Sequence, residues 1–116
     1  MNYKDLGVFQ KSYLLALEIH KLRLRFPSIE QRELASQLRR SSKSIPANIA
    51  EGMGKSLSSR DIKRYLRIAL GSNDETKTWL MFSKDLGYID DSSFNVFTER
   101  YEEVGKMLWG LIHKVK

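Results

Sequence analysis

The stretch Phe94-Asn95-Val96-Phe97-Thr98-Glu99-Arg100-Tyr101-Glu102-Glu103-Val104-Gly105-Lys106-Met107-Leu108-Trp109-Gly110-Leu111-Ile112-His113-Lys114-Val115 decides the fold class. Its apolar positions Phe94, Phe97, Tyr101, Val104, Leu108, Leu111 and Val115 advance by alternating steps of three and four, an a/d seam that only a helix brings onto one side. Asp90 precedes it as an N-cap, and Ile89 with Phe94 forms a hydrophobic staple across the helix start. Immediately upstream, Leu86-Gly87 marks the end of another helix.

Three further helices follow from the same rules. The segment from Ser58 opens with Ser58 as N-cap and Asp61 at the third helical position, with Leu57 and Ile62 as staple, and carries the stripe Ile62, Leu66, Ala69, Asn73, Leu80 beside Tyr65. The second helix is expected over residues 29–52, capped by Ser28 with Gln31 at its third position, on the stripe Leu34, Leu38, Ile45, Ile49 with Ser41 and Ser42 between the two pairs. Pro46 lies inside that stripe, so the helix is expected to kink there without ending, and Gly52 and Gly54 to stop it. The first helix is expected over residues 8–25 with two apolar stripes: Phe9, Tyr13, Ala16, Leu17, His20, Leu24, and Leu15, Ile19, Leu22, Phe26. At about 100° per residue the stripes lie on nearly opposite sides. A helix apolar on both sides is central or covered by another subunit, and no helix is central in a lone four-helix bundle. That points to a homo-oligomer, with Leu15, Ile19, Leu22 and Phe26 as the expected interface unless the core takes them. No strand pattern competes, and short connections make this an all-α, antiparallel up-down-up-down bundle, one domain over residues 1–116.

Composition narrows the function classes. Hydrophobic residues make up 41% and charged residues 29%, an ordinary globular balance, and the chain has no cysteine, which removes disulfides, thiolate catalysis and zinc–sulfur sites. No apolar run approaches the roughly 20 residues of a membrane span, and the amino terminus lacks the layout of a signal peptide, so a cytoplasmic protein is expected. The net charge of +6 is unevenly placed. Between His20 and Asn73 there are twelve Lys/Arg against four acids, +8, and the remainder carries eight against ten, −2. That asymmetry favours an anionic partner, with solubility as the alternative.

The most specific surface feature is Arg60, Lys63, Arg64 and Arg67, spaced to share one helix face. Like charges at such spacings oppose helix formation by about a few tenths of a kcal/mol per pair, which argues for an acceptor such as phosphate or for acids on a neighbouring helix. With the turn between helices two and three centred near residue 56, position i would face roughly 112 − i. That sets Glu51 near Arg64, and Arg39 and Arg40 opposite Asp74 and Glu75, where an Arg–carboxylate pair would fix register. Arg39, Lys43 and Lys55 complete the expected phosphate-binding set. Gly52-Met53-Gly54-Lys55-Ser56 fails as a nucleotide-binding loop, because Ile49 stands where the motif needs glycine and a helix, not a strand, precedes it. His20 and His113 lack the Glu-x-x-His spacing of bundle metal sites. Asp90 with Asp91 and Glu102 with Glu103 read as a cap and a solvated face. Tyr3, Trp79 and Trp109 could stack bases but sit at spacings typical of core or interface. No catalytic set, metal or cofactor is expected.

The segment Gln37-Leu38-Arg39-Arg40-Ser41-Ser42-Lys43-Ser44-Ile45-Pro46-Ala47-Asn48-Ile49-Ala50-Glu51-Gly52 strongly resembles the four-helix-bundle proteins encoded in intervening sequences of bacterial 23S ribosomal RNA genes, also called the S23 ribosomal protein family. Phe26-Pro27, Tyr65-Leu66-Arg67-Ile68-Ala69-Leu70-Gly71-Ser72, Glu75 and Leu86-Gly87-Tyr88-Ile89 extend the likeness over nearly the whole chain. Departures are Ser41 and Ser42, where alanine is frequent, Thr76 where leucine is common, and Phe9 for a frequent tryptophan. The resemblance implies a left-handed bundle that assembles as a homopentamer, without catalytic residues. A related bundle is the accessory protein of diversity-generating retroelements, which associates with a reverse transcriptase and nucleic acid. The expected function is thus phosphate-mediated binding of structured RNA, with a protein scaffold for an enzyme such as a reverse transcriptase as the alternative.

Overall fold

In a computed structural model, which describes residues 2–22 and 25–116, four helices follow one another: α1 (Gly7–Leu22), α2 (Leu34–Met53), α3 (Ser59–Asp85) and α4 (Asp91–Lys114). Short 3₁₀ turns at Tyr3–Asp5 and Ser28–Gln31 precede α1 and α2. The expected continuation of α1 towards Arg25 runs through Arg23 and Leu24, which lie outside the described residues. Each helix packs on its sequence neighbour, and α1 closes the bundle against α4. Neighbours run antiparallel: Lys11 meets Glu103 while Glu18 meets Arg100, and Asn73 meets Tyr101 while Lys84 meets Phe94.

Locally encoded ends form as their residues dictate. Ser58 Oγ accepts the Asp61 amide at 3.2 Å and Asp90 Oδ1 accepts the Ser93 amide at 2.7 Å. Gly87 has φ +81°, and it closes α3 with Gly87 N–H on the Lys84 carbonyl and Tyr88 N–H on the Ser83 carbonyl. That paired arrangement needs the left-handed backbone that glycine adopts without steric cost. The start of α2 departs from expectation. Ser28 and Gln31 build a 3₁₀ turn rather than a capping box, Gln31 Nε2 donates to the Phe26 carbonyl at 3.0 Å, and α2 begins only at Leu34, without a side-chain cap. Beyond it the helix runs unbroken through Pro46 to Met53.

The core draws on all four helices: Leu15 and Ile19; Leu38, Ile45 and Ile49; Leu66, Ala69 and Leu80; Tyr101, Val104 and Leu108. Each large aliphatic side chain so buried contributes about 1.5–3 kcal/mol relative to exposure. At the end of α4 the seam shifts by one position, so Ile112 is buried while Leu111 is half-buried.

The α2–α3 seam carries its own polar line. Thr76 Oγ1 lies 2.9 Å from Ser41 Oγ and 2.8 Å from the Ser72 carbonyl oxygen, Ser44 Oγ lies 2.9 Å from Ser72 Oγ, and Asn48 Nδ2 donates to the Ser44 carbonyl (2.8 Å). Residue 41 thus meets 76, 44 meets 72 and 52 meets 65, so position i faces about 117 − i, not 112 − i. This register corrects the expected Arg39/Arg40 pairing with Asp74/Glu75. No such ion pair forms among the described residues, and Asp74 lies 3.7 Å from Lys77 of its own helix. Hydroxyl pairs, not guanidinium forks, lock these two helices. Ser41 and Thr76, both departures from the resembled pattern, are partners of one another.

Candidate nucleic-acid interface and apolar groove

On α3, Arg60, Arg64 and Arg67 are exposed and Lys63 is half-buried. Two of the expected phosphate ligands are engaged locally. The Arg64 guanidinium lies over the Tyr65 ring at 4.7 Å with its Nε 4.0 Å from Asp61. Lys55 Nζ lies 2.9 Å from Glu51 Oε2, and that hydrogen bond raises the lysine pKa above its usual value. Glu51 therefore partners Lys55, not Arg64 as the expected register suggested. By contrast, Arg39, Arg40, Lys43, Arg60, Lys63 and Arg67 take part in none of the ion pairs among the described residues.

The seven expected phosphate-binding residues do not form one cluster. Arg60, Lys63, Arg64 and Arg67 line the amino-terminal half of α3. Lys43 lines the groove between α1 and α2, on the other side of α2 from the hydroxyls that meet α3, with Arg39 one turn before it. Lys55 borders a separate recess with Asn2, Lys4 and Gly54.

The interface expected at Leu15, Ile19, Leu22 and Phe26 is corrected by the structure. All four are buried in the core of a single chain, at 1%, 1%, 7% and 5% exposure, so no surface remains there for another subunit. The reason is the packing of α1 on both α2 and α4, which leaves the opposite stripe outward. That stripe lines an open groove of about 530 Å³ in which Phe9, Tyr13, Ala16 and Leu17 of α1 face Pro46, Ala47 and Ala50 of α2. Tyr13 and Leu17 are 49% and 46% exposed. Tyr3 stacks on Phe9 at 5.0 Å and Phe9 on Tyr13 at 5.8 Å, so the aromatic line is pre-arranged along the groove wall. Of the two apolar stripes legible on α1, the bundle takes Leu15, Ile19, Leu22 and Phe26 into its core and leaves the other lining the groove.

The other residues singled out resolve simply. His20 lines the groove. His113 Nδ1 lies 2.8 Å from the Trp109 carbonyl oxygen, with its ring against the exposed Trp109 indole. Trp79 packs on the core and on Phe82 at 5.7 Å. Asp90 is a helix cap, and its bonds to Ser93 hold its carboxyl below the usual range. Glu103 is depressed likewise by Lys11, 2.7 Å away. Burial pushes the Tyr101 hydroxyl up beyond its usual range, which keeps it neutral. Among the described residues, no three His, Asp or Glu gather as metal ligands would, and no helix is long and apolar enough to cross a membrane.

These features define a class: a small basic four-helix bundle with a cationic helix face and an open apolar groove. The model of the 23S rRNA-intervening sequence protein family matches residues 4–110, and the chain belongs to that family. A crystal structure of a protein of unknown function from the S23 ribosomal protein family of Bacteroides thetaiotaomicron is similar over 97% of this chain and 99% of that chain, with 30% identity and a TM-score of 0.83. No curated protein matches the sequence.

Proposed function

We propose that this chain acts without catalysis, as an oligomeric bundle in the cytoplasm whose basic surface binds structured RNA through phosphate contacts. The observation that carries this reading is the amino-terminal half of α3. Arg60, Lys63 and Arg67 stand on successive turns with no acid partner among the described residues. Arg60 also stands in the first turn, where the macrodipole disfavours a cation, and the like charges at these spacings repel one another, so the arrangement works against the isolated helix. An anionic polymer removes that penalty and releases its own counterions. Arg64 and Lys55 join by exchanging exposed carboxylate partners for phosphate, which costs little. Contacts of this kind position the protein and carry no base readout.

The test is an RNA titration at several salt concentrations. Log K is expected to fall linearly with log salt, and Lys63→Gln with Arg67→Gln to flatten that line by about two phosphate contacts per bound copy. A slope unchanged by the double substitution, or no binding at low salt, overturns the reading.

The second reading is a scaffold that holds a partner enzyme. The open α1–α2 groove favours it, and so does the resemblance to the accessory bundle of diversity-generating retroelements, whose partner is a reverse transcriptase. Co-purification of the native protein followed by sequencing of bound RNA and protein separates the two.

A further inference from the structure

We propose that the flank between α3 and α4 takes an unpaired RNA base on the Trp109 indole while Lys63 and Arg67 hold the neighbouring phosphates, so that the RNA engaged there is a loop or a single-stranded stretch. This rests on the RNA reading proposed above and names the form of RNA at that same cationic face.

Interior contacts set the two helices level with one another. Asn73 Nδ2 donates to the Tyr101 carbonyl at 3.0 Å, a Cβ on Gly105 would stand 3.1 Å from the same nitrogen, and Lys84 Nζ lies over the Phe94 ring at 4.8 Å. Position i of α3 thus stands level with about 176 − i of α4, which puts Trp109 beside Arg67 and His113 beside Lys63. The sides agree as well as the levels. Lys84 marks the α4-facing flank of α3, and steps of seven, which return to nearly the same side of a helix, lead back from it through Lys77 and Leu70 to Lys63. Arg67 follows Lys63 by one turn. On α4, Gly105 meets Asn73 of α3, and Trp109 and His113 follow it at steps of four.

This flank is built for a flat anionic guest. Trp109 is 59% exposed, more than any other Trp, Tyr or Phe among the described residues. The His113 ring lies against it with centres 4.2 Å apart, and His113 Nδ1 lies 2.8 Å from the Trp109 carbonyl oxygen, so the indole is propped while its ring stays open to solvent. A histidine in the last turn suits the negative end of α4, but that stabilisation needs no exposed indole beside it. No Asp or Glu occurs from Ile62 to Asn73 or from Val104 to Lys116, stretches that carry Lys63, Arg64, Arg67, Lys106, Lys114 and Lys116. Of these cations only Arg64 takes part in an ion pair among the described residues. Packed helix axes lie about 8–10 Å apart, so an indole on one and cations on the other can engage the base and phosphates of one short stretch of strand. Stacking tolerates any base, in keeping with contacts that carry no base readout, but it needs a base freed from pairing.

The experiment is a titration of the full chain with three RNAs of equal phosphate number: an oligouridylate, its abasic counterpart and a duplex. Trp109→Leu is expected to weaken oligouridylate binding by about fivefold to a hundredfold, the worth of one base–aromatic stack, and Trp109→Phe to recover part of that loss. Neither should change binding of the abasic strand or the duplex. The salt slope for oligouridylate should stay the same in Trp109→Leu, since no phosphate contact is lost, whereas Lys63→Gln with Arg67→Gln flattens it. Oligouridylate should also quench the indole emission of wild type but not of Trp109→Leu, whose remaining Trp79 lies towards the other end of α3. Circular dichroism and light scattering compare the helical content and mass of each variant with wild type. Equal oligouridylate affinity in wild type and Trp109→Leu, or an equal loss for the abasic strand, overturns the stacking site while leaving phosphate binding standing. A change of mass in Trp109→Leu overturns it too, by making this flank a contact between subunits. A wild type that binds none of the three RNAs at low salt removes the RNA reading itself, and this site with it.

Discussion

The α2–α3 seam and the α1–α4 seam join helices of similar length by different means. Along α2–α3 the polar contacts lie inside the seam, Ser41 with Thr76 buried and Ser44 with Ser72 partly so, and Gly52 comes close enough that a Cβ there would stand 3.0 Å from the Tyr65 Cβ. Along α1–α4 the packing is less extensive and the polar contacts sit at the rim, Lys11 to Glu103 and Glu18 to Arg100, both at 2.7 Å and about half exposed. A slip of α2 against α3 would strand hydroxyls away from water, whereas a slip of α4 against α1 would return its charges to solvent. Buried neutral groups therefore specify register here more strongly than ion pairs do.

The largest effect should come from emptying the first seam. Leu66 is fully buried, and Leu66→Ala is expected to cost about 2–5 kcal/mol in denaturant unfolding. A smaller loss would mean that the seam collapses around the cavity and is softer than its hydrogen bonds suggest. Next, Thr76→Val keeps shape and deletes one hydroxyl, so a loss of about 1 kcal/mol is expected. Adding Ser41→Ala should then cost less than it does alone, since its partner is already gone, and full additivity in the double-mutant cycle would break the register argument. The smallest effect belongs to the second seam. Lys11→Met is expected to change stability little at neutral pH. Its signature lies in acid: the Glu103 carboxyl is depressed in the fold by Lys11, so its contribution is present above the unfolded carboxylate value, about 4, and is lost as pH falls through the lower folded value. Melting curves from pH 6 to 3 should thus fall less steeply for Lys11→Met than for wild type, while the Asp90 cap, depressed by Ser93, keeps the remaining acid sensitivity in both.

What the sequence made legible follows the range of the interactions. The caps at Ser58 and Asp90 and the stop at Gly87 involve residues three to five apart, and these are as expected. Pro46 was legible as tolerated, because Ile45 and Ile49 continue one stripe across it. The start of α2 was not, since Ser28 and Gln31 have the residue types of a capping box while the chain after Pro27 turns more tightly. Register between α2 and α3 was missed by about five positions, because it depends on where a turn centres and on Ser41 meeting Thr76, which no local pattern announces. For the same reason the two stripes of α1 were both visible, but which of them the bundle would bury was not. The cationic face of α3 was read from spacing alone; the division of its members into engaged and unengaged needed Asp61 and Glu51 in place.

The order of charges along α3 has a consequence for how the molecule meets a polyanion. Arg60, Lys63, Arg64 and Arg67 sit near the α2–α3 turn, together with Lys55, while Asp74, Glu75 and Asp85 follow towards the other end, where Glu30, Glu33, Asp90 and Asp91 also lie. Backbone dipoles of antiparallel neighbours largely cancel, and Arg25, Arg32, Lys77 and Lys84 offset the acids at the far end, so in a body measuring 44 × 23 × 20 Å the excess positive charge lies towards the α2–α3 tip. In the field of a nucleic acid such a rod experiences a torque before it touches anything, and it turns its α2–α3 tip forward. At physiological ionic strength the field decays over about 8 Å, so this alignment belongs to the last moments of encounter and vanishes first when salt is raised.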